Sequence, residues 1–223
     1  KTPAKESDPR HMPPNFYFDQ EDFLITRSAG QRWSWSALRA EAFCSEVVGI
    51  PSLPLLIAVY ATISKELGLP LRFPGTQAAY NALCQVTEAG LLAQGMAWAA
   101  TSPNAANEAF NLTNGDAFRW ANLWPQFARF FEMEYAPPQD ISLTEQMADK
   151  TDLWTQIVDK YSLQAHAVQD LAVWPLGDFL YHCDWDVLLS STKVQQAGFY
   201  KVVDSEEMFL SFFQTFRDLN LIP

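Results

Sequence analysis

The chain is short of glycine, cysteine and positive charge, and each shortage argues against a kind of site. Its nine glycines form no Gly-x-Gly-x-x-Gly turn, the motif that lets a backbone approach a dinucleotide pyrophosphate. Its three cysteines are scattered, which argues against a disulfide framework and favours a reducing, cytoplasmic compartment. Lys and Arg number 15 against 26 Asp and Glu, so binding to nucleic acid or to an anionic membrane is not predicted.

Long apolar runs are missing as well. The longest, from Leu53 to Ile63, is well short of the roughly 20 residues of a membrane-spanning helix. No charged-then-apolar leader opens the chain, so a secretory signal is not predicted. The sequence is instead rich in core-forming side chains, since 48% of its residues are hydrophobic and eight are Trp. We therefore predict a packed core over most of the length.

Strand-like and helix-like patterns alternate through the first 135 residues, which is typical of an α/β fold. Strands are predicted over residues 33–38, 71–73, 82–86 and 109–112, and helices over residues 15–28, 53–67, 88–100 and 118–131, with Thr87 as a helix N-cap. Past Pro137-Pro138 the pattern becomes helical, with helices predicted over residues 142–149, 151–161, 174–182 and 205–219. We predict an α/β region over residues 1–135 and a mainly helical region over residues 136–223.

A tyrosine in the first predicted helix is the first candidate for chemistry. Tyr17 lies in the octet Asn15-Phe16-Tyr17-Phe18-Asp19-Gln20-Glu21-Asp22. A helical tyrosine can donate a proton or stabilise an enolate oxygen when a cation lowers its pKa from about 10. In common short-chain reductases that cation is a Lys four residues later, but here the position holds Glu21. The octet alone therefore leaves a structural tyrosine as the commoner alternative.

The octet and many later segments together resemble the progesterone 5β-reductase/iridoid synthase family of atypical extended short-chain dehydrogenases. The octet matches the family's Asn-Phe-Tyr-Tyr-x-x-Glu-Asp motif except at Phe18. The other matching segments include Trp35–Arg39, Val59–Ile63, Leu71–Phe73, Trp98–Ala100, Asn107–Asn111, Thr113–Asp116, Gly177-Asp178 and the ending Ile222-Pro223. Because order and spacing hold over nearly all 223 residues, the match is more specific than a lone motif.

The resemblance implies a fold and a reaction. The fold would be the C-terminal portion of an extended short-chain dehydrogenase Rossmann fold, with a mostly helical substrate-binding region. The reaction would be reduction of the activated C=C bond of an enone by NADPH or NADH, with Tyr17 stabilising the enolate. The family's partner Lys and glycine-rich loop would both precede Lys1. We therefore expect the cofactor-binding half to be missing from this chain, which alone would be inactive.

The resemblance also implies residues beside the nicotinamide. Ala40, Ala42 and Phe43 would contact it from the loop after Arg39. This loop departs from the family pattern, because Ala40 replaces a Pro and Ser45 replaces a Gly. The loss of a Pro removes a fixed φ angle, so these contacts are expected to be weaker than in the family.

Three further residues would fall near the substrate pocket by the same resemblance. They are Cys84, Trp174 and Leu176, and Leu176 stands where the family has a large aromatic side chain. Core packing is an alternative for each, and Cys84 lacks the neighbouring cations that activate a thiolate. The segment His182-Cys183-Asp184-x-Asp186 carries metal-ligand residue types, but without a second ligand pair no metal site is predicted.

Three functions stay open at this point. The first is an NAD(P)H-dependent enone reductase acting on a small molecule, with relatives that are often homodimers. The second is a truncated module without redox activity, which would use its uncovered apolar surfaces to bind a partner or assemble. The third is a reductase or epimerase for another substrate class, because extended short-chain enzymes share one fold across several chemistries.

Overall fold

The computed structural model describes residues 1–10 and 14–223 and shows an α/β fold. The helices are Phe16–Ser28 (α1), Leu53–Glu66 (α2), Gln77–Asn81 (α3), Ala89–Thr101 (α4), Trp120–Phe130 (α5), Leu143–Gln146 (α6), Thr151–Tyr161 (α7), Val168–Leu171 (α8), Trp174–Tyr181 (α9), Thr192–Gln196 (α10) and Ser205–Asp218 (α11). The strands are Ser36–Ala40 (β1), Phe43–Cys44 (β2), Leu71–Arg72 (β3), Leu83–Cys84 (β4), Thr87–Glu88 (β5), Glu108–Leu112 (β6), Phe118–Arg119 (β7) and Tyr135–Ala136 (β8).

The strands pair two by two, and most pairs are parallel. The longest pair joins β1 to β6 in parallel, with Ser36 opposite Glu108 and Ala40 opposite Leu112. The pairs β2–β5 and β3–β8 are also parallel, whereas β4–β7 is antiparallel. Because parallel strands end at the same edge, the carboxyl ends of β1 and β6 lie side by side.

The main core is built around α2, the most apolar helix. Residues 53–64 of this helix are all buried, as its continuous apolar sequence predicts. Aromatic side chains of α5 and α11 complete the core, and those of α11 are Phe209, Phe212, Phe213 and Phe216. No helix within the described ranges is both long and apolar enough to cross a membrane.

A second, smaller core lies between α4 and the β1–β6 pair, and Gly95 allows the close approach. A Cβ at Gly95 would lie 2.5 Å from Leu112 Cδ2 and 3.2 Å from Leu38 Cδ1. Gly90 and Gly95 have the spacing of a phosphate-binding loop in the sequence, but Gly95 lies within α4 and packs on the sheet. The spacing therefore reflects helix packing.

Two predicted helices begin later than expected, because the chain first forms a short strand. Thr87 does not cap α4, since it belongs to β5 and its hydroxyl donates to Leu112 O at 3.0 Å. The cap is Glu88, whose carboxylate accepts from Gly90 N at 2.9 Å and Leu91 N at 2.6 Å. In the same way Phe118 and the residue after it form β7 before α5 begins. The division at residue 135 remains a prediction.

Both ends of the chain are tied to the body of the protein. Ala4 N donates to Leu188 O at 2.8 Å, and Ala4 O accepts from Ser190 N at 2.8 Å. At the other end Leu221 and Ile222 are buried.

Candidate active site

The candidate site begins with α1, which one carboxylate holds against the sheet. Asn15 caps the helix by accepting a hydrogen bond from Tyr17 N at 3.0 Å. Glu21 then accepts from Arg39 Nη2 with both oxygens, at 2.9 and 3.0 Å. No residue of α1 is fully buried, so this ion pair is a principal attachment of the helix to β1.

The Glu21–Arg39 pair also sets the direction of α1 relative to β1. Glu21 lies about 10 Å from the end of the helix at a rise of about 1.5 Å per residue. Arg39 lies about 10 Å from the start of the strand at about 3.3 Å per residue. The matched distances are those of a helix and a strand that run antiparallel away from their connecting loop. Tyr17 is one helical turn farther from that loop than Glu21, and Glu21 contacts the next-to-last residue of β1.

The side chain of Tyr17 is accessible. Tyr17 is 66% exposed, and its one ring–ring contact in the described ranges is with Phe16, at a centroid distance of 4.0 Å. Its hydroxyl forms no hydrogen bond with any residue in the described ranges. The hydroxyl is therefore free to donate to a substrate oxygen.

The loop after β1 holds the three residues expected to lie beside a nicotinamide. Ala42 O accepts from Thr87 N at 3.2 Å, which ties the loop to β5. Ala40 is exposed at the end of β1, Ala42 is half-buried, and Phe43 is 37% exposed. The loop thus presents small side chains and accessible backbone at the edge where β1 ends.

Glu41 also lies in this loop, although it is not among the residues predicted to contact the nicotinamide. Its backbone N–H donates to Thr87 Oγ1 at 3.0 Å, while its carboxylate accepts, among the residues the structure describes, only from Ala42 N at 3.3 Å. Burial raises the pKa of Glu41, and the hydrogen bond from Ala42 offsets this only in part. An acidic residue three positions after the predicted strand 33–38 is the signal that could have identified it, because ligands bind at the carboxyl ends of strands in α/β sheets.

Cys84 lies on β4, and its thiol is not activated. Burial raises the pKa of Cys84 to about 12, and the nearby Cys183 and Glu41 add to the effect. Burial also raises the pKa of Cys183. A thiol with a raised pKa is a poor nucleophile at neutral pH, as expected from the sequence.

Trp174 and Leu176 lie in the first turn of α9. Trp174 is 9% exposed and belongs to the main core, and the half-buried Leu176 packs against that core. No hydrogen bond, ion pair or ring contact within the described ranges joins either residue, or Cys84, to Tyr17. The part of the chain that is described therefore does not bring the predicted catalytic and substrate-binding residues into direct contact.

The residues with metal-ligand side chains near α9 are engaged in hydrogen bonds with the protein. His182 Nε2 lies 2.9 Å from Asp140 Oδ1, and Asp186 accepts from Leu83 N at 2.8 Å. Asp184 is hydrogen-bonded to Thr76. Within the described ranges, no three His, Cys, Asp or Glu side chains converge in a way that could hold a metal ion.

Comparison with known proteins identifies the family. A family model, that of the PRISE-like Rossmann-fold domain, matches residues 1–223. The chain belongs to this family. The fold class expected from the sequence, an α/β Rossmann fold, and the resemblance to iridoid synthase-type enzymes are thereby confirmed.

Two relatives of the PRISE-like chain are longer than the chain itself. A short chain dehydrogenase of Penicillium aethiopicum, gsfE, is 37% identical over 245 residues, covering 100% of this chain and 64% of that protein. An (S)-8-oxocitronellyl enol synthase of Antirrhinum majus is 33% identical over 226 residues, covering 99% of this chain and 58% of that protein. The PRISE-like chain thus spans 58% to 64% of the length of these two relatives.

A solved structure supports the fold. The structure of RMD from Pseudomonas aeruginosa complexed with NADPH matches with a TM-score of 0.57 at 13% identity, over 96% of this chain and 61% of that one. At this identity the match shows a shared backbone arrangement.

Proposed function

We propose that this chain supplies the catalytic tyrosine and the substrate-binding surface of a nicotinamide-dependent oxidoreductase that reduces the activated C=C bond of an enone. The observation that carries the proposal is the exposed Tyr17 hydroxyl, without a hydrogen-bond partner in the described ranges, one helical turn from the contact of Glu21 with Arg39 near the end of β1. The names of the relatives support it, since one is a short chain dehydrogenase and another specifies an enol product.

The chain's own residues fit the nicotinamide end of a cofactor. In open α/β sheets ligands bind at the carboxyl ends of the strands, where Ala40 and Ala42 carry only methyl groups and Phe43 is partly exposed. A planar ring can therefore approach the backbone of this loop. NADPH or NADH would supply the hydride, and one structural relative was solved in complex with NADPH.

Tyr17 would act on the oxygen of the enone. Addition of a hydride to the β-carbon moves negative charge onto the carbonyl oxygen. The Tyr17 hydroxyl donates a hydrogen bond that strengthens as this charge develops, so it favours the transition state over the ground state. A preorganised donor of this kind contributes about 3–4 kcal/mol.

The pocket walls would come from three side chains at the edge of the main core. Cys84 would serve as a neutral wall, because its thiol stays protonated near neutral pH. Trp174 would contribute the small exposed part of its apolar ring, and Leu176 would leave more room than the aromatic residue of the family. The pocket would therefore accept an apolar enone.

Replacement of Tyr17 by Phe tests the proposal. In the full-length protein, Tyr17→Phe should lower kcat for enone-dependent NADPH oxidation about 100- to 1000-fold, because one oxyanion donor is lost. KM should change little, since the hydrogen bond acts mainly in the transition state. Tyr200→Phe removes the hydroxyl of a 73% exposed tyrosine and should leave turnover unchanged. Unchanged turnover in the Tyr17 variant would refute the proposed role.

A second candidate is a binding or assembly module, which the exposed apolar side chains of α1 favour. Phe16 is 60% exposed and Phe23 is 63% exposed. An apolar surface of this kind suits a partner or a second copy in a homodimer. If this candidate is right, NADPH oxidation stays at background with every enone, while Phe16→Ser and Phe23→Ser together reduce self-association in analytical ultracentrifugation.

A further inference from the structure

Two arginines converge on Glu21, four residues after Tyr17. Besides the Arg39 contacts, Glu21 Oε1 lies 3.2 Å from Arg10 Nη2. The side chain of Glu21 is only 11% exposed, whereas those of Arg10 and Arg39 are 38% and 29% exposed. Arg10 also reaches the next carboxylate, with Nη1 at 2.6 Å from Asp22 Oδ1. Glu21 is thus the least accessible member of a charge network that joins three segments of the chain.

Phe18 lies beneath the same two guanidinium groups. The Cζ atom of Arg10 is 4.7 Å from the centroid of the Phe18 ring, and that of Arg39 is 5.8 Å from it. Cation–π contacts of this kind need an aromatic face but no hydroxyl. This explains how Phe18 can replace the second tyrosine of the family motif without loss of the contact.

We propose that Glu21 is the positioning residue for Tyr17: it anchors α1 to β1 through Arg39 and Arg10, and so fixes the helical turn that carries the tyrosine relative to the strand. The inference rests on the proposed function of Tyr17 and adds the device that holds it. Two short contacts from Arg39 and one from Arg10 fix the carboxylate at one point. The helix backbone one turn away, from which the Tyr17 side chain extends, is then held in place relative to Arg39.

The geometry gives a reason for the missing Tyr-x-x-x-Lys pair. A Lys at position 21 would place an ammonium group against the guanidinium groups of Arg39 and Arg10 and would repel both. In this chain the position four residues after the tyrosine therefore serves to attach the helix. The cation of the common short-chain enzymes cannot be accommodated there.

Glu21→Lys is the decisive variant, because it introduces the Tyr-x-x-x-Lys pair of the common short-chain reductases. In the full-length protein we expect kcat for enone reduction to fall about 100-fold, as for a displacement of about 1 Å of a catalytic group. KM should change little, and Glu21→Gln, which keeps the shape and loses the charge, should show a smaller loss. The matched control is Asp19→Lys, with the same change of charge on the same helix. Asp19 is exposed and its carboxylate has no ion pair or hydrogen bond in the described ranges.

A double-mutant cycle with Tyr17→Phe separates positioning from mere stabilisation. If Glu21 acts through Tyr17, then Glu21→Lys added to Tyr17→Phe causes little further loss of kcat. If Glu21 only stabilises the fold, the two losses multiply and the active fraction falls with the melting temperature. Assays run well below the melting temperature of each variant, with cofactor binding measured to count active sites, keep the two cases apart.

The outcomes distinguish this inference from the proposed function. An impaired Tyr17→Phe variant with a Glu21→Lys variant that matches Asp19→Lys overturns the positioning role alone. Losses of kcat that multiply when Glu21→Lys is added to Tyr17→Phe overturn the positioning role as well. Unchanged turnover in Tyr17→Phe overturns the proposed function, and the positioning inference with it, because nothing would then need to be positioned.

Discussion

At the scale of single residues, three acidic groups of the candidate site carry little free negative charge. Glu21 is paired with two arginines, the thiol of Cys84 has a raised pKa, and burial shifts Glu41 towards its protonated form. Asp19, two residues after Tyr17, is exposed and has no ion pair in the described ranges. The low free charge is therefore a property of Glu21, of the loop after β1 and of β4.

The raised pKa of Glu41 leads to a prediction about how the stability of the fold depends on pH. Because burial raises its pKa in the folded protein, its contribution to stability is fully present below the unfolded pKa of about 4.3. That contribution is lost as pH rises through the higher folded value. Glu41→Gln should therefore be more stable than the wild type at pH 7, and the gain should shrink towards pH 4.

Urea unfolding at the two pH values measures this difference, with the exposed Glu46→Gln as the control. An equal effect of Glu41→Gln at pH 4 and pH 7 would contradict the prediction.

Some residues of the candidate site can be proposed from the sequence, and others cannot, for a physical reason. Tyr17 could be named because it stands in a local motif, and Ala40, Ala42 and Phe43 could be named because the family resemblance implies them. The Glu21–Arg39 pair and the surroundings of Glu41 depend on how the chain folds back, which a local pattern does not contain. The assignment of Tyr17, Ala40, Ala42, Phe43, Cys84, Trp174 and Leu176 to catalysis or binding stays a prediction.

At the scale of elements, the ends of helices are where distant segments are joined. Asp178 on α9 accepts from Leu143 N at 2.5 Å and from Thr144 N at 3.1 Å, at the start of α6. Ser142 Oγ donates to the same carboxylate at 3.0 Å. One side chain thus caps a helix that precedes it by more than 30 residues and links α6 to α9.

Loss of this cap should destabilise the protein in a pH-dependent way. Burial raises the pKa of Asp178, but hydrogen bonds from Thr144, Leu143 and Ser142 outweigh it and leave the pKa lowered. The stabilisation is therefore present above the unfolded pKa of about 3.9 and is lost as pH falls through the lower folded value.

Asp178→Asn should cost about 1 kcal/mol at pH 7 and progressively less below pH 4, as measured by urea unfolding. Asp159→Asn, at an exposed position on α7, should have little effect at either pH. A cost that persists undiminished in acid would argue against a charged cap.

Elements with long patterns were predicted well, and two-residue strands were not. The α2 and α7 helices match the predicted ranges to within about one residue, because many apolar positions specify them. In contrast, the two residues of β7 fall inside a predicted helix. They form a strand because Arg119 pairs with Leu83, which lies far away in the sequence. A strand of two residues is specified by its partner, and the partner is not visible in a local window.

At the scale of the whole molecule, stability is concentrated in one aromatic core. Trp124 is fully buried, with its ring centroid 5.2 Å from that of Phe73 and 5.8 Å from that of Tyr181. These rings belong to distant parts of the chain, so the core closes only when α5 and α9 are both in place. The α1 helix lies outside this core and contributes no buried residue to it.

Hydrogen exchange should reveal this uneven distribution. In the 223-residue chain, amides of α1 should exchange by local opening, whereas those of α2 should need global unfolding. Mass spectrometry of peptides from the two helices measures the difference. Comparable protection of α1 and α2 would mean that the Glu21 network holds α1 far more firmly than its exposure indicates.

The burial of residues 221 and 222 has a practical consequence for shortened forms of the chain. Leu221 N donates to Phe216 O at 2.8 Å, and Arg217 Nε donates to Pro223 O at 3.0 Å, so these residues close over the end of α11. A variant truncated after Asn220 would lose the two core side chains of Leu221 and Ile222. Such a truncation should therefore destabilise the fold although it leaves every helix and strand intact.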